Sequence, residues 1–420
     1  MKSLNLTDSM PKVIVVGAGP AGMMAAIRAS QFKQEVLLIE KNSLPGNKLL
    51  LSGKGRCNIT NNCNLDSFLE RFSGNGQFLR DAFKKFFNRE LIEFFRERGL
   101  VLKTERQERV FPVTDRSASI VEVLRRELAQ DQVKQIYNSC VTGLQVKSGR
   151  IEGVRLESGK VIAADKVILA TGGVTYSFTG STGDGLIWAQ DTGHKIIPIR
   201  PGLVALETRK GNFKLPQGLT LKNIKLKFLS AKKEIISEIG ELVFTDFGIS
   251  GPLVLTLSGR IADWIMEKQK ITVEIDLKPA LSEEQLDSRL LREFDSLSRK
   301  NLDNVLKELL PLSLVKVFLG RLKISPDKKA NQVTQEERRA IIKLLKGFSL
   351  EIKCTRPLEE AMITQGGVSL KDINPRTMES RRVKGLYFCG EMIDIDADTG
   401  GFNLQAAFST GYLAGESAAL

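Results

Sequence analysis

The stretch VIVVGAGPAGMMAAIRAS, residues 13–30, decides how the chain begins to fold. Four β-branched residues, Val13 to Val16, run directly into Gly17-Ala18-Gly19-Pro20-Ala21-Gly22 and then into an alanine-rich segment. That order predicts strand, glycine turn and helix. A backbone without Cβ atoms approaches a diphosphate closely, and the amides opening the next helix supply donors at the positive end of its dipole. In a dinucleotide fingerprint the first glycine, Gly17, makes the turn, Gly19 admits the phosphates and Gly22 lets the helix pack. Pro20 and Ala21 belong to the same loop. The apolar residues Val36 to Ile39 predict a second strand and complete a βαβ unit. Glu40 closes it, where a carboxylate accepts from a ribose 2′-hydroxyl and repels a 2′-phosphate, which disfavours NADP at this site. NAD and FAD share the adenosine diphosphate that such a loop reads.

The 420 residues, 42% of them hydrophobic, suffice for two or three domains with a sizeable core. Five cysteines, Cys57, Cys63, Cys140, Cys354 and Cys389, show no CxxC pair, which argues against a disulfide framework or a metal site and for a reducing compartment. The first residues carry no apolar leader core and no run reaches a bilayer-spanning length, so the expectation is a cytoplasmic protein without a membrane partner. A formal net charge of +13 raises the question of nucleic acid. The basic residues gather in 205–350, but among Asp and Glu and without interleaved aromatics, as a solvated face would have them. The single histidine, His194, is expected to be structural.

Residues 65–99 predict helices whose Phe68, Phe72, Phe83, Phe86, Phe87, Phe94 and Phe95 pack in a core. From Val141 the pattern alternates, with turns at Ser148-Gly149 and Ser158-Gly159, and predicts a three-stranded meander leading into a buried strand at 167–170. Short alternating strands follow to about Ile275, then polar helical sequence over about 281–347, then a strand near Leu350. The economical division is a nucleotide-binding domain made from 1–195 and 367–420, with 196–366 inserted.

VILATGG, residues 167–173, and GLYFCGEMIDIDADTGGFNLQAAFSTGYLAG, residues 385–415, choose the dinucleotide. They resemble the later FAD contacts of flavoproteins with two dinucleotide domains, where a strand ending in ATG supports the diphosphate and a late glycine–acid pair touches the ribityl chain. Here these are Thr171, Gly172 and Gly173, and Gly390 and Glu391. A helix opening near Asn403 after Gly400-Gly401 would aim the amides of Gly401, Phe402, Asn403 and Leu404 at the flavin pyrimidine, where charge gathers on reduction.

GNKLLLSGKGRCNITNN (46–62), FTDFGISGP (244–252) and TQGGVSLKDINPRTMES (364–380) extend the likeness along nearly the whole chain. Together they resemble the HI0933-like flavoprotein family, which includes aminoacetone oxidase-like FAD-binding enzymes. The resemblance implies an α/β fold: a Rossmann-like FAD-binding domain with an inserted β-barrel-like subdomain and a helical subdomain. It places Ser52, Gly53, Arg56, Cys57 and Asn58 along the flavin or its linker. Lys41, Lys48 and Val141 complete the expected cofactor contacts. Many relatives carry His where this chain has Asp246, which removes any histidine-dependent role of that loop.

The expected activity is FAD-dependent oxidation or reduction of a small organic substrate through flavin N5, with non-covalent FAD. Arg56 either stabilises negative charge near the reduced ring or makes a structural contact, and Cys57 packs rather than forming a redox pair with Cys63. A second glycine fingerprint is absent, so NAD(P)H would act as a transient donor at a site without one, and oxygen is the simpler acceptor. Two other readings remain: a flavin-dependent RNA-modifying enzyme, suggested by the charge, and a protein whose FAD is structural.

Overall fold

The computed structural model describes residues 12–131, 133–209, 211, 214–231 and 233–420; residues 1–11, read above for a leader, lie outside them. Val13–Val16 (β1), Pro20–Ser30 (α1) and Val36–Ile39 (β2) form the expected opening unit. Next come Thr60–Asn61 (β3), Lys134–Ile136 (β4), Lys166–Leu169 (β5), Asp184–Asp191 (α2) and Ile196–Gly202 (β6). Ile363–Val368 (β7), Leu386–Phe388 (β8) and Phe402–Ala419 (α3) come from the far end of the chain. Strands β8-β5-β1-β2-β4 make one sheet in that order, every pairing parallel. Every residue of β1, β2 and β8 is buried, as in parallel sheets covered on both faces, and explains why these strands read as unbroken apolar runs. The meander forms as expected from Val141–Lys147, Arg150–Leu156 and Val161–Ala163.

The helical sequence at 65–99 divides into Leu65–Leu69, Arg80–Lys85 and Asn88–Glu97. Its Phe68 ring meets those of Phe72, Phe83, Phe87 and Phe402 at centroid distances of 4.7–6.2 Å. No described helix is long and apolar enough to cross a membrane.

Leu203–Pro357 forms one compact unit, and the chain on either side of it forms the other. These bounds are narrower than 196–366 because β6 and β7 pair with each other and stay with the first unit. Within Leu203–Pro357, six antiparallel strands close on themselves: Thr220–Leu229, Gly240–Phe244, Gly248–Ser250, Leu206–Thr208, Phe348–Thr355, Ile271–Asp276, and back to the first. Closure leaves no free edge on this ring. A register shift between Leu221 and Ile224, with Asn223 at φ 54°, bends the longest strand where the ring must curve. The polar helical stretch breaks into Glu283–Ser296, Leu302–Leu306, Leu312–Leu322 and Gln335–Lys346. Ser282 with Gln285 and Thr334 with Glu337 form reciprocal capping boxes at two of their starts.

The two ends of the first unit are joined by α1 and α3. A Cβ added to Gly411 would sit 2.2 Å from the Ala21 carbonyl oxygen, and one added to Gly415 would sit 2.3 Å from that of Ala25. Glycine at one helix turn spacing on α3 therefore faces alanine at the same spacing on α1, and the backbones touch. On an exposed helix Gly→Ala stabilises by about 1 kcal/mol. Here the sign should reverse: Gly415→Ala is expected to cost about 1–3 kcal/mol through overpacking, read as a lower denaturant midpoint at unchanged slope.

Candidate functional site

The segments singled out in the sequence meet at the carboxyl ends of the parallel strands, where open α/β sheets bind ligands. After β1, Gly17 adopts φ 101°, and a Cβ there would lie 2.5 Å from the Ala170 oxygen. A Cβ at Gly22 would lie 1.8 Å from the Gly17 oxygen. Both glycines answer to the protein's own backbone. Gly19 differs: a Cβ there would meet nothing within 4 Å. Its missing side chain leaves open volume at the start of α1, where free amides and the dipole favour an anion. Ala21 is packed between Gly390 and Gly411, so only its backbone is left for a ligand.

Glu40 is buried at the end of β2. Its carboxylate accepts from the Ala18 amide (2.7 Å) and from the Asn42 amide (2.9 Å) and side chain (2.7 Å). A carboxylate has about four acceptor positions, so one remains for a hydroxyl. Lys41 turns to Thr182 and to Asp184 (2.8 Å), the first residue of α2, and does not face the loop after β1 through a free ammonium. Val141 is buried on the meander, and the segment before it is tied to Glu40 by the Ser139 amide.

On the opposite side of β1, Lys48 Nζ donates to both oxygens of Glu391 (2.8 and 2.6 Å) and to Thr175 Oγ1 (2.7 Å). Glu391 Oε1 also accepts from the Thr364 amide (2.8 Å), and Thr364 Oγ1 accepts from the Val174 amide (2.9 Å). A Cβ at Gly173 would lie 2.0 Å from Thr364 Oγ1, and Gly172 stands at φ 74° beside Ser181 and Glu391. Thr175 and Thr364 were not singled out from the sequence. The available signal was their position beside the ATGG and TQGG glycines, where a small hydroxyl can reach a neighbouring strand end.

The GKGRC turn is contorted. Gly53, Lys54, Gly55 and Cys57 all have positive φ, 57–82°. For Lys54 and Cys57 this is a sparsely populated conformation that the surroundings must hold. Ser52 supports it by donating to Leu49 O (2.6 Å) and accepting, through its carbonyl, from the Cys57 amide (3.0 Å). Arg56 lies 4.2 Å over the Phe111 ring and bonds Glu105 and Asp115, which it shares with Lys103, and these two carboxylates hold it protonated above its ordinary range. Burial pushes the Cys57 thiol up to about 12, which leaves it inert as a thiolate. Asn58 Oδ1 is buried without a hydrogen-bond partner.

At the start of α3, Gly401 has φ 97°, and a Cβ there would lie 2.3 Å from the Thr60 oxygen of β3. The Phe402 ring packs on Phe68, and the Asn403 side chain bonds Ala397. Phe402 and Asn403 thus spend their side chains on the protein and, with half-buried Leu404, offer a ligand only first-turn amides.

His194 stands apart. It is buried, with Nδ1 donating to Ala189 O (3.0 Å) and Nε2 accepting from Ser380 Oγ (2.7 Å). Ser380 Oγ already accepts the amides of Arg382 and Val383, so its proton points to the ring and fixes the neutral tautomer. Burial lowers its pKa. Among the described residues there is no metal-binding group of His, Cys, Asp and Glu.

The residues present suit a dinucleotide: an open cradle at Gly19, one acceptor left on Glu40, and an unsatisfied buried oxygen on Asn58. Residues 11–417 match the family described as HI0933-like protein Rossmann domain. A 3-dehydro-bile acid delta(4,6)-reductase of Clostridium scindens is 32% identical over 98% of this chain and 99% of its own. A ribosomal RNA dihydrouridine synthase of Escherichia coli is 29% identical over 95% of this chain and 96% of its own. The crystal structure of 3-ketosteroid-delta4-(5alpha)-dehydrogenase from Rhodococcus jostii has the same fold, with a TM-score of 0.54 and 16% identity over 100% of this chain and 98% of that one.

Two glycines in one loop should respond oppositely. Gly19→Val is expected to leave unfolding of the apoprotein unchanged while blocking a diphosphate, whereas Gly22→Ala should itself destabilise the fold by about 1–3 kcal/mol. Thermal melts beside cofactor titration check both. The neutral His194 contributes stability that is complete above the unfolded histidine value, about 6.5, and is lost as pH falls below it toward its own lowered value. Wild type should therefore lose stability more steeply than His194→Gln between about pH 7 and 5, by denaturant midpoints.

Proposed function

The chain belongs to the HI0933-like Rossmann-domain family and is a flavin-dependent oxidoreductase; from that premise we propose that it holds FAD non-covalently and reduces a carbon–carbon double bond conjugated to a carbonyl in a small molecule. The observation that carries the cofactor reading is the open volume at Gly19 between the free start of α1 and the Glu40 carboxylate. Residues 17–22 would take the diphosphate, Glu40 the adenosine ribose, and the Lys48–Glu391 pair with Thr175 the polar linker of the flavin. First-turn amides of α3 would favour negative charge on the reduced ring. Bound FAD supplies two-electron exchange at N5. The sole histidine is locked in the core, so proton transfer falls to another group.

The substrate class rests on chemistry common to two relatives. A 3-dehydro, delta(4,6) bile acid has double bonds conjugated to a ketone, and dihydrouridine arises where the uracil double bond lies next to a carbonyl. A second reading, uracil in RNA, is favoured by the net charge of +13. Against it, many basic side chains of Leu203–Pro357 already face carboxylates, among them Lys227 with Glu234, Lys233 with Glu267, Lys328 with Glu337 and Lys346 with Asp276.

The purified protein is expected to be yellow with releasable FAD, to be bleached anaerobically by NADH or NADPH, and to regain colour on adding a 3-oxo-4,6-diene bile acid. Recolouring by a uracil-containing rRNA fragment alone, with RNA affinity falling steeply in salt, would transfer the role to the second reading. A protein that cannot be loaded with FAD would defeat both.

A further inference from the structure

Reducing a conjugated double bond consumes a hydride at the β-carbon and a proton at the α-carbon. His194, two cysteines and three tyrosines are committed elsewhere. His194 is buried and neutral, and Cys57 and Cys389 are buried with their thiols raised far above neutrality. Of the four tyrosines, Tyr137 donates to Gln135, Tyr387 is buried beside the Ser417 carbonyl, and Tyr412 stacks on Phe86.

Tyr176 is placed differently. It follows Thr175, whose hydroxyl bonds Lys48 and Glu391 at the carboxyl edge of the sheet. Its backbone is left-handed, φ 52° and ψ 50°, held by Thr179, whose amide and hydroxyl both donate to the Tyr176 carbonyl at 2.7 Å. The half-buried ring has its centroid 5.9 Å from Lys48 Nζ and lies edge-on to Phe178, which is 74% exposed. Among the described residues its phenol makes no hydrogen bond. Burial raises its pKa, so the phenol stays protonated at neutral pH.

We propose that Tyr176 is the proton donor of the reaction, an inference that rests on the enone-reductase reading above. The β-carbon receives a hydride from the reduced cofactor, the π electrons move toward the carbonyl, and the α-carbon takes the proton from Tyr176 Oη. The phenolate regains a proton from water, and a reduced nicotinamide restores the cofactor's electron pair. The Lys48 ammonium, 5.9 Å from the ring centroid, holds the ring in a cation–π contact. The Tyr176–Phe178 pair presents aromatic surface to a planar apolar substrate.

The test compares wild type, Tyr176→Phe and Asp394→Asn as FAD-loaded protein, with 3-oxochola-4,6-dienoic acid as oxidant. Asp394 is the competing donor, a half-buried carboxyl raised by burial and by Asp396. Expected for Tyr176→Phe are unchanged FAD occupancy and dienone Kd, anaerobic reduction by nicotinamide within about 3-fold of wild type, and dienone-driven reoxidation slowed at least about 100-fold. Ultraviolet titration of the apoprotein should lose one phenol that ionises above the ordinary value of about 10. Asp394→Asn should reoxidise like wild type. Reoxidation of Tyr176→Phe within about 3-fold of wild type, a loss that merely tracks FAD occupancy, or transfer of the loss to Asp394→Asn each overturns the proposal. A wild-type protein inert to the dienone defeats the function reading and this one with it; an active wild type with an equally active Tyr176→Phe defeats this one alone.

Discussion

The first unit depends on one contact, the backbone approach of α1 and α3. Gly411 rests on Ala21 and Gly415 on Ala25, at separations that leave no room for a methyl group. Alanine and glycine bury little apolar surface each, but they let two helices lie close enough for their peptide groups to make dispersion contact along their length. The consequence is positional. α3 runs about two and a half turns before Gly411 meets Ala21 near the start of α1, so locking their axes sets the two helix starts, one at Gly19 and one at Gly401, in fixed relation. In the proposed reading the two positive dipole ends would serve one elongated ligand.

Close packing of glycines recurs around that edge for the same reason. Gly17, Gly22, Gly173 and Gly401 are each pressed against a carbonyl or hydroxyl of another segment, and none could carry a side chain without moving it. In the loop after β1, Gly19 alone faces open space. The contrast separates glycines that build the cradle from the one that leaves it open. The polar side chains follow a similar division. Glu391 is neutralised by Lys48 and shared with Thr175 and Thr364, a network satisfied within the protein, as a partly buried carboxylate requires. Asn58 and Glu40 keep acceptor capacity in reserve.

The contorted GKGRC turn shows how charge can serve geometry. Arg56, stacked on Phe111 and paired with Glu105 and Asp115, ties the turn that carries left-handed Lys54 and Cys57 to residues 105–115. An exposed network of this kind contributes modestly to global stability. Its value lies in fixing one turn.

Short-range patterns made part of this architecture legible in the chain alone. The apolar runs at 13–16, 36–39 and, within one residue, 167–170, the glycine turn between the first two and the meander after Val141 lie where local periodicity and turn residues put them, because each rests on side chains a few positions apart. Glu40 and the Gly17–Gly22 loop were legible for the same reason. Pairing between distant segments emerged only on folding: β6 with β7, Thr364 with Glu391 and Gly173, Phe402 with Phe68, and Tyr176 with Lys48. The bounds of the inserted unit, the spending of the Phe402 and Asn403 side chains on the core, and the exclusion of His194 from the edge depend on such contacts. Local propensity carries no information about them, since the partners lie tens to hundreds of residues apart and meet only when the sheet and the α1–α3 crossing bring both chain ends together.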